Sequence, residues 1–259
     1  MMRIKFYLGL AAFMVCVAMF GTKVSAADDF PLRAKYPDMK TISTEELTKG
    51  YDDTIVVDVR SGEEFEVCRI NSAKHVALSK ASFIADLEKV RGKTDAKPMA
   101  FYCNGHKCEK SYQAYEKAAA AGFTSLFVYD SGIFDWMTAN PGKATLMGKT
   151  PAPADKIIPE SELKKRMISL DEFKAQAADP KAMVIDIREP LQRKVIPDVP
   201  NLRNIPMDQL IGQLKKKQFI DQHLLILDAV GKQVEWLQYH LAENGYTNYN
   251  FLANGVGGK

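Results

Sequence analysis

One short loop contains the residues best suited to chemistry. Its six residues are Cys103, Asn104, Gly105, His106, Lys107 and Cys108. An apolar strand over 99–102 is predicted directly before the loop, and a helix over 109–120 directly after it. Ligands of open α/β sheets bind outside the carboxyl ends of the strands. A cysteine at such an end, followed by polar residues that no core strand would tolerate, predicts a reactive thiol.

The expected surroundings of Cys103 favour a negative charge. Backbone N–H groups of the loop and of the first helical turn should point towards the sulfur, and the helix dipole adds to their effect. Lys107, Lys110 and His106 contribute positive potential. Such an environment lowers the pKa of a cysteine, so thiolate is the expected form. A persulfide on Cys103 would also be anionic and would be held by the same amides.

The elements that position this loop occur twice in the chain. Four kinds of residue recur after 123 to 128 residues. They are a serine that caps a helix (Ser43 and Ser169), an aspartate that ends a strand (Asp58 and Asp186), a glycine that ends a helix (Gly122 and Gly245) and a glycine in a loop (Gly132 and Gly255). Each serine precedes a glutamate by three residues, which is a capping box, and glycine is the usual left-handed helix terminator. Apolar strands alternating with amphipathic helices predict an α/β fold, with mainly parallel sheets covered by helices on both faces.

This pattern predicts two tandem domains. The first spans residues 41–137 and contains the Cys103 loop, and the second spans residues 167–257. Residues 138–166 between them are rich in proline and glycine, a composition typical of an extended linker. The loop of the second copy, Asp228–Gln233, contains no sulfur. We therefore predict that the second domain is catalytically inactive and supports the first or forms a cleft wall.

Residues 1–26 have the pattern of a secretory signal peptide. Arg3 and Lys5 precede an uncharged apolar run over 6–20, and the segment closes on Val24-Ser25-Ala26. The run is shorter than the roughly 20 residues that a membrane span needs. We expect cleavage, a periplasmic or secreted mature chain, and no stable membrane insertion afterwards. An uncleaved membrane anchor is the alternative.

Composition and charge exclude several classes of function. The chain is 46% hydrophobic and 26% charged, as in ordinary globular proteins. Without residues 1–26 the formal net charge falls from +3 to 0, because that segment contains three basic residues and no acidic one. A neutral chain without a basic block offers no footprint for nucleic acid. The remaining histidines, His75, His223 and His240, have no ligand spacing, and nucleotide-binding motifs are absent, so neither a metal nor another cofactor is indicated.

The first repeat resembles a rhodanese domain. The motifs that carry the resemblance are Asp58-Val59-Arg60 with Glu64-Phe65, the six-residue loop that begins at Cys103, and Asp130-Ser131-Gly132-Ile133-Phe134-Asp135-Trp136. The resemblance implies that Cys103 is the nucleophile of a sulfurtransferase and that Asn104 to Cys108 form the substrate-binding backbone cradle. Sulfane sulfur would pass through a Cys103 persulfide, from a donor such as thiosulfate to cyanide, a small thiol or a partner protein's thiol. Arg60 and Glu64 are expected to form a structural ion pair.

Two departures from the family pattern leave alternatives open. Cys108 stands where relatives carry Ser, Thr or Arg, so it is either a resolving thiol for Cys103 or a small residue at the helix start. Cys68 replaces a usual glycine and is expected to be a buried or lightly exposed thiol. The chain could therefore be a thiol–disulfide redox protein that uses Cys103 and Cys108, or a non-catalytic sulfur carrier in an exported complex. A loop-cysteine phosphatase is disfavoured, because its loop would need one more residue and a final Arg.

Overall fold

The structure is a computed structural model and describes residues 29–257. The predicted signal peptide, residues 1–26, lies outside this range. Within the range, no helix is both long enough and apolar enough to cross a bilayer.

The first structural unit is built on a four-stranded parallel sheet. In chain order its elements are α1 (Thr44–Lys49), β1 (Ile55–Asp58), α2 (Gly62–Val67), β2 (Cys68–Ile70), β3 (Lys74–His75), α3 (Phe83–Val90), β4 (Met99–Tyr102), α4 (Lys110–Ala120), β5 (Leu126–Tyr129), α5 (Gly132–Ala139) and β6 (Ala144–Leu146). The strand order is β3-β1-β4-β5. Asp58 is the register partner of Tyr102, so the loops after β1 and β4 emerge side by side.

Helices cover both faces of this sheet. Side chains alternate between the faces along each strand, so Val57 and Phe101 pack with α3 and α4, whereas Val56 and Ala100 pack with α1 and α5. All four side chains are buried. A sheet buried on both faces explains why its strands read as continuous apolar runs in the sequence.

The second unit repeats this plan on a five-stranded parallel sheet. Its elements are α6 (Glu160–Arg166), β7 (Met167–Ile168), α7 (Leu170–Ala177), β8 (Ala182–Asp186), β9 (Arg203–Asn204), α8 (Met207–Lys215), β10 (His223–Leu227), α9 (Gln233–Glu243) and β11 (Tyr249–Leu252). The strand order is β7-β11-β10-β8-β9. The predicted α/β class with helix-covered parallel sheets is confirmed.

Local signals fixed the helix ends well. Ser43 and Glu46 form a complete capping box at α1, whereas at α7 Ser169 accepts from the Glu172 N–H without the reciprocal bond. Gly122 and Gly245, which follow α4 and α9, have φ of +89° and +79°. In this region a side chain is disfavoured, which is why glycine stands there.

The segment predicted to be an extended linker contains regular structure. Strand β6 pairs antiparallel with β2, with Cys68 opposite Leu146, and α6 begins at Glu160. Proline and glycine composition therefore marked the break between the two sheets, but not the pairing that ties this segment to the first unit.

The two units share an apolar contact. One cluster of buried side chains runs from the α1 and α5 face of the first sheet to the α8 and α9 face of the second. The Phe134 ring of α5 packs against this cluster and stacks on Trp236 of α9, with centroids 5.7 Å apart. The Arg60 guanidinium lies 5.4 Å from the Trp236 ring centroid. The second unit thus packs against the elements that flank the Cys103 loop.

Candidate functional site

The Cys103 loop connects β4 to α4 at the carboxyl edge of the first sheet. Cys103 and Cys108 are joined by a disulfide, with Cα atoms 6.3 Å apart. Cys103 is only 1% exposed and packs in the apolar cluster on the α3 and α4 face. Cys108 is half-buried. The predicted nucleophile and the predicted resolving thiol are therefore brought into direct contact.

Asn104 ties the loop to α2. Its Nδ2 donates to Glu64 Oε1 at 3.0 Å, and Glu64 Oε2 accepts from the Ser61 N–H at 2.9 Å and from Lys110 Nζ at 3.3 Å. Burial alone would raise the pKa of Glu64, but Lys110, the Ser61 N–H, Arg60 and Asn104 outweigh it and hold the pKa below its ordinary value. Glu64 is thus a charged anchor for the start of the loop.

The prediction that Arg60 forms an ion pair with Glu64 is wrong, because Arg60 pairs with a different carboxylate. Arg60 pairs with Asp58 at 2.6 Å between Nη2 and Oδ2, and both side chains are fully buried. Arg60 Nη2 also donates to the Cys68 carbonyl at 2.6 Å. The chain turns directly after β1, which folds Arg60 back onto the strand-ending aspartate, whereas Glu64 caps its own helix and faces the loop. Asp186 and Arg188 make the same pair in the second unit, at 2.9 Å.

The middle of the loop contacts a segment that precedes the first sheet. His106 Nδ1 lies 2.9 Å from the Asp29 carbonyl oxygen, and its Nε2 lies 2.9 Å from Asp135 Oδ2. The Phe30 ring stacks on the imidazole, with centroids 4.2 Å apart. Lys107 is exposed on the outer rim. These contacts fix the position of the His106 ring in the loop.

Residues 29–36, here named the N-terminal strap, also hold the far end of the loop. Arg33 makes a two-pronged contact with the buried Asp130 carboxylate, at 2.7 and 2.9 Å. Tyr36 donates to Glu109, the residue directly after Cys108. This segment was not predicted to contribute to the site, because it has no helix or strand period. The available signal was its content of aromatic and basic residues, Phe30, Arg33, Lys35 and Tyr36.

Gly132 packs directly under the loop. Its φ is +71°, and a Cβ atom there would lie 2.5 Å from the Asn104 carbonyl carbon and from the Gly105 nitrogen. The next residue, Ile133, donates its N–H to the Cys103 carbonyl at 3.1 Å. Gly255 has the same role in the second unit, where its φ is +62° and its Cβ position is blocked by Ala229 and Val230. Glycine is required at both places because the backbones approach so closely.

The second unit displays an anion cradle in the equivalent loop. Asp228, fully buried, replaces Cys103. Its carboxylate accepts hydrogen bonds from four backbone N–H groups, which belong to Val230, Gly231, Gln233 and Val234. The Gln233 N–H donates at 2.6 Å and that of Val234 at 3.3 Å. In the second unit the loop therefore directs its amides at the first side chain of the loop.

In the first unit the amides are arranged differently. Within the described part of the chain, no backbone N–H donates to the Cys103 sulfur. The Cys108 N–H, equivalent to that of Gln233, donates to the Gly105 carbonyl at 2.9 Å. The expected cradle around Cys103 is thus not formed in this state. A disulfide sulfur is uncharged and accepts hydrogen bonds weakly, which is consistent with the Cys108 N–H donating to a carbonyl instead.

The third cysteine of the described residues, Cys68, is free and buried, as predicted. Burial raises its pKa to about 11, against the opposing effect of Arg60. Cys68 is therefore unsuited to act as a second nucleophile. Between residues 29 and 257, no group of three or more His, Cys, Asp or Glu side chains is placed to hold a metal ion.

The fold and the loop define a class of protein: a parallel α/β unit with a cysteine at the carboxyl end of a central strand, in a short loop that leads into a helix. Residues 43–139 match the family described as Rhodanese-like domain. This part of the chain is a rhodanese-like domain, and the match supports sulfur transfer at the level of the family. It covers less than half of the chain and does not include the second unit.

Several solved structures are similar to this chain. Thiosulfate sulfurtransferase from Pseudomonas aeruginosa is 17% identical with a TM-score of 0.38, and the alignment covers 84% of this chain but 41% of that one. A protein from Bacillus halodurans is 28% identical over 45% of this chain and 83% of its own, with a TM-score of 0.37. A single-domain sulfurtransferase from Saccharomyces cerevisiae is 19% identical over 39% and 91%, with a TM-score of 0.33. No match was found among curated proteins.

Proposed function

We propose that the protein is a sulfurtransferase that carries sulfane sulfur on Cys103. The observation that carries this proposal is the cradle around Asp228, because it reveals what the loop shape does for the side chain at its first position. Four N–H groups converge on a negative charge there. When the disulfide is open, Cys103 presents a thiolate or a persulfide at the same place in the first loop.

The charges around the loop suit an anionic donor. Lys107 and Lys110 are exposed beside the loop, and the amino end of α4 adds its positive dipole. The Cys103 thiolate would attack the outer sulfur of a donor such as thiosulfate, and sulfite would leave. An acceptor such as cyanide or a thiol, free or on a partner protein, would then remove the terminal sulfur and restore the thiolate. The second unit has Asp228 instead of a cysteine and cannot take part in this chemistry.

The test is thiocyanate formation from thiosulfate and cyanide, with protein that has first been reduced. We expect activity in the wild type and in Cys108→Ser, which removes the disulfide partner at nearly constant size. Cys103→Ser should abolish it, while Cys68→Ser, at a buried thiol outside the loop, serves as the matched control. If Cys103→Ser retained wild-type turnover, the proposed function would be wrong.

The disulfide between Cys103 and Cys108 favours a second candidate, a thiol–disulfide redox protein. Such a protein would exchange electrons with disulfides of other proteins, and both loop cysteines would be essential. It would form no thiocyanate, and its intact mass would show no sulfur uptake from thiosulfate. A gain of one sulfur atom on Cys103 in the reduced protein supports sulfur transfer over this alternative.

We also propose that the chain works outside the cytoplasm, in the periplasm or after secretion. The support is the pattern of residues 1–26, and the test is amino-terminal sequencing of the exported protein. The mature chain should begin near Ala27, two residues before the strap contact at Asp29.

A further inference from the structure

The two loops of this chain give an internal comparison of two states. The loop Asp228–Gln233 holds an anion, with the Gln233 N–H directed at the first residue of the loop at 2.6 Å. The loop Cys103–Cys108 holds a disulfide, with the Cys108 N–H directed at Gly105 instead. The two equivalent loops thus differ in where this N–H points, towards the first residue of the loop beside the carboxylate and away from it beside the disulfide.

The two sulfurs of the disulfide differ in access. Cys103 is 1% exposed, and its Sγ lies 3.1 Å from the Cys108 carbonyl oxygen and 3.7 Å from Ser111 Oγ. Cys108 is half-buried at the loop surface. An external thiol that approaches the loop therefore meets Cys108 first. Attack there expels Cys103 as a thiolate, the form that the reassembled cradle stabilises.

We propose that Cys108 resolves the Cys103 persulfide, so that the loop releases hydrosulfide and closes to the disulfide. This inference rests on the proposed sulfurtransferase function and deepens it. The Cys108 thiolate attacks the Cys103 Sγ, a bond forms between the two cysteine sulfurs, and the bond from Cys103 to the terminal sulfur breaks. The terminal sulfur takes the electron pair of that bond and the proton that the Cys108 thiol gives up on ionising, and it leaves as HS⁻.

The cycle balances with a dithiol as its reductant. Loading converts thiosulfate and the Cys103 thiolate into sulfite and the persulfide, and resolution then gives HS⁻ and the disulfide. A dithiol, small or on a partner protein, attacks Cys108, forms a mixed disulfide and is itself oxidised to a disulfide. Two electrons pass from the dithiol to the sulfane sulfur in each turn. The partner class is thus a dithiol reductant, and the product class is free sulfide.

The experiment is a single turnover of the reduced full chain with one equivalent of thiosulfate, after the reductant has been removed. Sulfite, sulfide and intact mass are measured together. We expect the wild type to release one sulfite and one sulfide per chain and to end two hydrogen masses below the reduced protein. Cys108→Ser should release one sulfite and no sulfide, and it should keep one added sulfur on Cys103. Cys108→Ala provides a second variant should the serine side chain disturb the loop.

The outcomes separate this inference from the function on which it rests. Sulfite release with a persulfide that persists equally in the wild type and in Cys108→Ser would overturn the resolving role and leave sulfur transfer intact. Absence of sulfite from the wild type would overturn the proposed function itself. Equal release of sulfide by the wild type and both Cys108 variants would also overturn the inference, because the persulfide would then be resolved without Cys108.

Discussion

Replacing Gly132 by alanine tests the close packing that holds the loop. Two costs are expected. The residue sits at φ +71°, and the left-handed conformation costs an alanine roughly 1–2 kcal/mol. The added Cβ would also lie 2.5 Å from the backbone of Asn104 and Gly105, which cannot swing aside as a flexible side chain could. Overpacking of this kind typically adds about 1–3 kcal/mol.

Gly122→Ala is the matched control. Gly122 has φ of +89°, and no atom lies within 4 Å of its Cβ position, so this variant has the conformational cost without the collision. Urea unfolding followed by tryptophan fluorescence is a suitable assay, because Trp136 and Trp236 report on the first and second units. We expect Gly132→Ala to lose about 2–5 kcal/mol of unfolding free energy and Gly122→Ala about 1–2 kcal/mol.

The difference between the two variants is the quantity that matters. If their unfolding free energies agreed within about 0.5 kcal/mol, the added Cβ of Gly132→Ala would not collide with the loop, and close packing would not require glycine at position 132. With the collision present, Gly132→Ala should also slow thiocyanate formation, because the loop that carries Cys103 must shift. Gly122→Ala should leave the rate unchanged at temperatures where both variants are folded.

Three further predictions concern Glu64, Cys68 and Trp236. The folded-state pKa of Glu64 lies below its ordinary value. The Glu64 carboxylate therefore stabilises the folded protein above the ordinary glutamate pKa, and this contribution is lost as the pH falls through the folded-state pKa. Between about pH 6 and about pH 3 the wild type should therefore lose more unfolding free energy than Glu64→Gln, and equal losses would contradict this assignment. Burial raises the pKa of Cys68 to about 11, so iodoacetamide should not label this thiol in the folded, reduced protein but should label it in urea. Peptide mapping measures both, and labelling of Cys68 in the folded protein at the rate of Cys108 would contradict its burial. Trp236→Ala should lower the unfolding free energy measured in urea by about 3–5 kcal/mol, because the ring stacks on Phe134 and contacts the Arg60 guanidinium. Trp236→Phe keeps an aromatic ring and should lower it clearly less; equal losses would mean that the stacked ring contributes little.

The sequence predicted correctly several features that depend on residues close together in the chain. The serine caps, the glycine helix ends and the strand-ending aspartates depend on residues a few positions apart, and the sequence identified them in both copies. The Arg60 partner depends on how the chain turns after β1, and it was misassigned to Glu64. Asn104 and Lys110 lie 40 and 46 residues beyond Glu64, and their contacts follow only from the packing of α2 beside the loop.

The sequence alone determined which cysteine lies at the carboxyl end of a strand and which residue takes its place in the second copy. A polar loop between an apolar strand and a helix places Cys103 at the carboxyl edge of a sheet, and the repeat places Asp228 at the same position. Tertiary structure decided the rest. The disulfide between Cys103 and Cys108, the four amides that donate to Asp228, and the contacts of the N-terminal strap with His106 and Glu109 all follow from the tertiary structure. The physical reason is that hydrogen-bond directions and long-range contacts are set by the packed backbone, whereas strand ends and helix starts are set by neighbouring residues.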